Sequence, residues 1–174
     1  GKIGEQKEKA STKNLWLLQV IREIPICWMQ RFPVSVPVSK GQILESVRGT
    51  DLYLLVDVLN YSMTYSLCGN ENHMSPDDHY QDLKRIIAAV GGKARRITVI
   101  MPFLYESRQH KRTSRESLDC ALALQELVSM GVDNIITFDA HDPRVQNAIP
   151  LQVETVQPAY QFIKGLLRNV KDLQ

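Results

Sequence analysis

Between residues 51 and 139 the chain alternates short apolar runs with amphipathic stretches, and this alternation restricts its fold more than any other feature. LYLLVDVL (52–59), ITVIMPFL (97–104) and NIITFD (134–139) have strand length and no regular polar alternation. Each therefore suits a strand covered on both faces. Between the first two runs, Ser75-Pro76-Asp77-Asp78 places a serine cap, a proline at the first helical position and a carboxylate three residues after the cap. That pattern predicts a helix to about Val90, stopped by Gly91-Gly92. LDCALALQELVSM (118–130) predicts a second helix, stopped by Gly131. Strand, helix, strand, helix, strand reads as an α/β fold, a parallel sheet flanked by helices and joined by right-handed crossovers.

Outside this core the pattern is less decisive. Residues 1–14 alternate charges with almost no apolar content, so a solvated lead-in is expected there, with a single domain over 15–174. LWLLQVIREI (15–24) suits a buried strand or a short helix. Pro25, Pro33 and Pro37 make the following stretch edge strand or loop, because each removes a backbone donor. Ala159 to Val170 reads as a last helix.

The balance of 21 basic against 19 acidic side chains gives no basic coat, so nucleic acid is not an expected partner. No apolar run reaches the roughly 18 to 20 residues of a membrane span, and no membrane association is expected. Three cysteines without C-x-x-C spacing fit neither a disulfide framework nor a zinc site, which points to a reducing, cytoplasmic setting.

In open parallel sheets, ligands bind beyond the carboxyl ends of the strands. Two loops there concentrate functional groups. YESRQHKRTSRE (105–116) carries Arg108, His110, Lys111, Arg112 and Arg115 ahead of a helix start, a cation set that suits either a polyphosphate site or a solvated basic loop. DAHDPRVQ (139–146) sets Asp139 and His141 one residue apart, suitable ligands for a divalent ion, although such a pair at a strand end is more often a turn carboxylate and a hydrogen-bonded imidazole. Other candidates read as structural. Gly91-Gly92-Lys93 lacks a phosphate-loop frame, Asp77 and Asp78 suit a helix cap, and His73 and His79 read as surface side chains.

ESVRGTDLYLL (45–55), RRITVIMPFLYESRQHKRTSRES (95–117) and NIITFDAHDPRVQNAIPL (134–151) resemble, in order and spacing, the N-terminal domain of ribose-phosphate pyrophosphokinases. The resemblance implies a phosphoribosyltransferase-like domain. It also implies a homo-oligomeric enzyme that uses magnesium to transfer the diphosphoryl group of ATP to ribose 5-phosphate, giving phosphoribosyl pyrophosphate. By the same resemblance Arg108 and Gln109 contact ATP, with His110, Lys111 and Arg112 in the same loop, and His141 ligates magnesium with Asp139 beside it.

Three departures qualify the likeness. His110 stands where the family has an aspartate, and the F-x-x-G-E segment survives only as Phe32 and Gly41 in RFPVSVPVSKGQ (31–42). The acidic D-D-x-x-x-T-G-G-T-type loop of the family's C-terminal ribose-phosphate domain has no counterpart in the sequence. An inactive isolated domain is therefore expected, the alternative being a non-catalytic regulatory or assembly domain of such a synthase.

Overall fold

The computed structural model describes residues 15–19, 27–32, 38–109, 111–138, 140–151 and 153–169. The expected lead-in over 1–14 and the site candidates His110 and Asp139 lie outside the described residues.

Five strands form the main sheet: β1 (Leu15–Gln19), β4 (Asp51–Val56), β7 (Arg96–Met101), β8 (Asn134–Phe138) and β9 (Val153–Val156). They lie in that order, with β4, β7, β8 and β9 parallel and β1 antiparallel to β4 at one edge. The strand alternative for the 15–24 run thus holds over Leu15–Gln19. β9 was not anticipated: VETV is too short and too polar to stand out, and it becomes a strand by pairing with β8.

The first two expected strands end earlier than their apolar runs. Asp57 stops β4, its side chain accepting from the Leu59 amide at 3.0 Å, so Val58 and Leu59 belong to a loop. Pro102 follows the last residue of β7. Burial is also less even than the runs suggest. Leu52, Leu54 and Val56 of β4 are buried while the alternate residues are partly exposed, whereas β7 buries Ile97, Thr98 and Val99 in succession, on both faces.

Helix α1 (Pro76–Val90) starts where its sequence predicts. The Ser75 amide donates to the Asp78 carboxylate at 2.9 Å, and the Asp78 amide donates back to the Ser75 hydroxyl at 3.2 Å. Gly91 closes the helix in the left-handed conformation, φ 59°. Leu83, Ile86, Ile87 and Val90 of α1, and Leu124 and Leu127 of α2 (Asp119–Ser129), share one core with the buried residues of β4 and β7. Burying each such aliphatic side chain contributes about 1.5–3 kcal/mol, which is why these helices hold to the sheet. α3 (Ala159–Asn169) forms as expected but buries no residue of its own.

A 3-10 helix (Pro143–Ala148) follows β8, and two hairpins stand outside the main sheet. β2 (Cys27–Phe32) and β3 (Val38–Ile43) pair antiparallel, with Met29 opposite Gly41. β5 (Thr64–Leu67) and β6 (Asn70–His73) pair antiparallel and turn through Cys68 and Gly69, both with positive φ. The reading of His79 as a surface side chain is corrected. It is buried, with its Nε2 2.9 Å from the Asn60 carbonyl, because α1 turns it beneath the loop that follows β4.

Candidate functional site

Arg48-Gly49-Thr50-Asp51, within the segment 45–55, lies at the amino end of β4, away from the site. Gly49 turns the chain at φ 69°, and Asp51 pairs with Arg95 beside the first residue of β7. That guanidinium, through its hydrogen bond first, holds the Asp51 carboxyl below its ordinary range.

At the opposite, carboxyl edge, the loop after β7 folds as a compact arm. Leu104 and Ser107 are buried, and the Ser107 amide donates to the Leu104 carbonyl at 3.1 Å. Glu106 is left-handed, φ 52°, and its carbonyl accepts from the Gln109 amide at 2.8 Å. This reversal leaves Arg108 exposed at the tip of the arm. The Gln109 carbonyl in turn accepts from the Cys120 amide in the first turn of α2 at 3.4 Å.

The arm is anchored through aromatic rings. Tyr105 stacks on Tyr80 of α1 with centroids 4.3 Å apart, and Tyr80 donates to the Ala123 carbonyl of α2 at 2.8 Å. Burial, then Asp77, raises the Tyr105 hydroxyl above its ordinary range. Glu106 is raised likewise, by burial first and then by Asp77 and Asp119, the acidic residues in the first turns of α1 and α2.

The end of β8 meets the start of this arm, since the Phe138 amide donates to the Pro102 carbonyl at 3.2 Å. Between the arm and the loop after β8 lies a cavity of about 300 Å³, lined by Phe103, Leu104, Ser107, Arg108, Phe138, Ala140 and His141. The fold thus brings Arg108 and His141, 33 positions apart in sequence (141 − 108), onto one cavity at the carboxyl edge of parallel strands. Asp142 does not join them. It is buried and accepts from the Arg144 amide at 2.9 Å and from the Arg144 guanidinium at 2.7 Å.

Gln109, Lys111 and Arg112 are exposed and do not line the cavity. Thr113 binds the Glu116 carboxylate through its amide at 3.1 Å, which turns the basic loop and lowers the Glu116 carboxyl. Sequence reasoning passed over Phe103, Ser107 and Phe138. Phe103 and Phe138 gave only a signal of position, near the ends of apolar runs where strand gives way to loop, and Ser107 lies within the basic loop.

For a magnesium ion, this donor set fits in part. Among the described residues no three His, Cys, Asp or Glu side chains gather as a metal site. One imidazole on the cavity wall beside a cation suits an ion that takes most of its oxygens from bound phosphate and water. Among the described residues, too, no helix is long and apolar enough to cross a membrane.

A family model described as the N-terminal domain of ribose phosphate pyrophosphokinase matches residues 25–131. Ribose-phosphate pyrophosphokinase B of Dictyostelium discoideum is 30% identical over 137 residues, 76% of this chain and 38% of that protein. Ribose-phosphate pyrophosphokinase 1 of Schizosaccharomyces pombe is 30% identical over 133 residues, 75% of this chain and 29% of that protein. The chain therefore spans well under half the length of these relatives. Phosphoribosylpyrophosphate synthetase from Mycobacterium smegmatis has the same fold, with a TM-score of 0.64 at 23% identity over 82% of this chain and 43% of that one. With the family model covering more than half of its length, the chain belongs to the ribose-phosphate pyrophosphokinase family and corresponds to that family's N-terminal domain.

Proposed function

We propose that this chain is the ATP-side domain of a ribose-phosphate diphosphokinase, which transfers diphosphate from ATP to ribose 5-phosphate to make phosphoribosyl pyrophosphate for nucleotide synthesis. The observation that carries the proposal is the placement of Arg108 and His141 on one cavity at the carboxyl edge of β7 and β8.

Arg108 supplies a guanidinium fork for phosphate oxygens, and Lys111 and Arg112 add positive potential along the same loop. With Gln109 and His110, these residues form the ATP-binding set. His141 and Asp139 would hold magnesium, which when bound offsets phosphate charge during transfer. Phe103 and Leu104 give the cavity an apolar wall that limits water around the phosphates.

Transfer needs donor and acceptor held together, and no acceptor loop of the family type occurs in the sequence. The isolated chain accordingly binds nucleotide without making phosphoribosyl pyrophosphate, and the active form is a homo-oligomer that also carries the acceptor site. Calorimetric titration with a non-hydrolysable ATP analogue and magnesium tests this. Arg108→Ala should weaken binding about ten-fold or more with an unchanged melting temperature, as expected for an exposed phosphate-facing cation. No binding to the wild-type chain would overturn the proposal.

A second reading, a non-catalytic assembly domain, is favoured by α3, which exposes Tyr160, Phe162, Ile163, Leu166 and Leu167. Stable association with a full-length family synthase, without nucleotide binding by this chain, would select it.

A further inference from the structure

A second cavity, of about 340 Å³, adjoins the one lined by His141 and shares Phe103, Ser107 and Arg108 with it. Val58, Leu59, Pro76 and Phe103 make this cavity largely apolar, and Glu106 stands on its wall together with Arg108. The arm thus carries a carboxyl close in sequence to the cation that faces phosphate, on the same wall.

We propose that Glu106 is a specificity-determining residue that makes this site discriminate by ligand charge: its carboxylate opposes a polyanion held at Arg108, and full binding requires that Glu106 take up a proton. The inference rests on the phosphate reading of the first cavity.

The fold keeps this carboxyl from escaping the conflict. Glu106 has a left-handed backbone, uncommon for a residue other than glycine, and the Gln109 amide on its carbonyl holds it there. Asp77 in the first turn of α1 and Asp119 in the first turn of α2 act on it from two sides. Both are themselves fixed, Asp77 by the Tyr105 hydroxyl at 2.6 Å and Asp119 by the Ser117 hydroxyl at 3.0 Å. Among the described residues, none of Asp77, Glu106, Arg108 and Asp119 takes part in an ion pair.

The other titratable groups packed here are neutral near neutral pH. Burial raises the Tyr80 and Tyr105 hydroxyls, and burial first, then Glu106, pushes the Cys120 thiol up to about 11. The loop after β4 contributes the apolar Val58 and Leu59. A polyanion at Arg108 adds like charge beside a wall that screens it less than water does. A proton taken from the buffer onto Glu106 removes that repulsion, and by reciprocity the bound polyanion favours the proton.

The test titrates inorganic tripolyphosphate, in metal-free buffer, into the whole chain and into Glu106→Gln across a range of pH. Near neutral pH the variant should bind about ten-fold tighter than wild type, and the gap should close as pH falls to the ordinary glutamate range. Histidines and the ligand's own phosphates titrate alike in both proteins, so the difference isolates Glu106. Calorimetry in buffers of different ionisation enthalpy should show the wild type taking up more protons on binding than the variant. Asp119→Asn keeps the carboxyl and removes one neighbour, so its affinity should fall between the two, which gives a second comparison if the arm does not tolerate glutamine. Equal affinities of the variants and wild type, or a gap that persists unchanged at low pH, overturns the charge-selecting role while tripolyphosphate binding leaves the phosphate reading standing. If tripolyphosphate binds none of the proteins at any pH, the phosphate reading fails and the role of Glu106 falls with it.

Discussion

The Tyr105 hydroxyl donates to the Asp77 carboxylate at 2.6 Å, tying the arm that presents Arg108 to the first turn of α1. Stacking on Tyr80 holds the same ring from its face. The arm is thereby fixed by a polar and an aromatic contact that can be removed separately.

Tyr105→Phe keeps the stack and removes the tether. It should lower unfolding stability by about 1 kcal/mol, the usual net value of such a bond at a partly exposed site. Nucleotide affinity should fall as well, because a freed arm must be re-ordered on binding. Urea unfolding and analogue titration on the same variant check both; an unchanged affinity would show that the stack alone sets the arm.

Gly41 of β3 has no room for a side chain. A Cβ there would sit 2.7 Å from the carbonyl oxygen and 2.8 Å from the carbonyl carbon of Arg85, both backbone atoms of α1. Gly41→Ala should therefore cost about 1–3 kcal/mol, since a helix backbone yields less than a side chain end. Thermal melts of the two proteins measure it, and equal melting temperatures would mean that the hairpin slides freely on α1.

Glu106 gives a pH dependence of definite sign. Its carboxyl is raised from 4.5 by burial first, and then by Asp77 and Asp119, so the folded state holds its proton more tightly than the unfolded state does. The cost to stability is absent below the unfolded value, where both states are protonated, and complete above the folded value. Glu106→Gln should thus raise the melting temperature near neutral pH, with the gain shrinking as pH falls to about 4. A gain that grew on acidification would contradict this origin.

His141 should couple magnesium to nucleotide. One imidazole on the cavity wall binds a hard cation weakly until phosphate oxygens complete the shell. Magnesium affinity should rise sharply when the ATP analogue is present, and His141→Ala should remove that rise more than it weakens the analogue itself. Four magnesium titrations, wild type and variant with and without analogue, decide the matter. Equal magnesium binding in all four, with a lowered melting temperature for the variant, would make His141 a structural residue.

The sequence by itself determined the order and kind of the central elements. Unbroken apolar runs specify β4, β7 and β8, and Ser75-Pro76-Asp77-Asp78 specifies the start of α1 through bonds made within four residues. These are local signals, and no distant contact is needed to read them. The elements it left unresolved depend on partners far along the chain. β1 is a strand because Leu15–Gln19 pairs with β4, and β9 is one because Val153–Val156 finds β8. The site divides in the same way. Arg108 and His141 stand out by residue type and by their place after apolar runs, but only the parallel pairing of β7 with β8 puts them on one cavity. Asp142 and Arg144 look equally chemical in sequence, yet the tertiary structure turns them on each other. The apolar cavity left no such signal, because Leu59, Pro76 and Phe103 are ordinary core letters until the ends of β4, α1 and β7 are folded side by side.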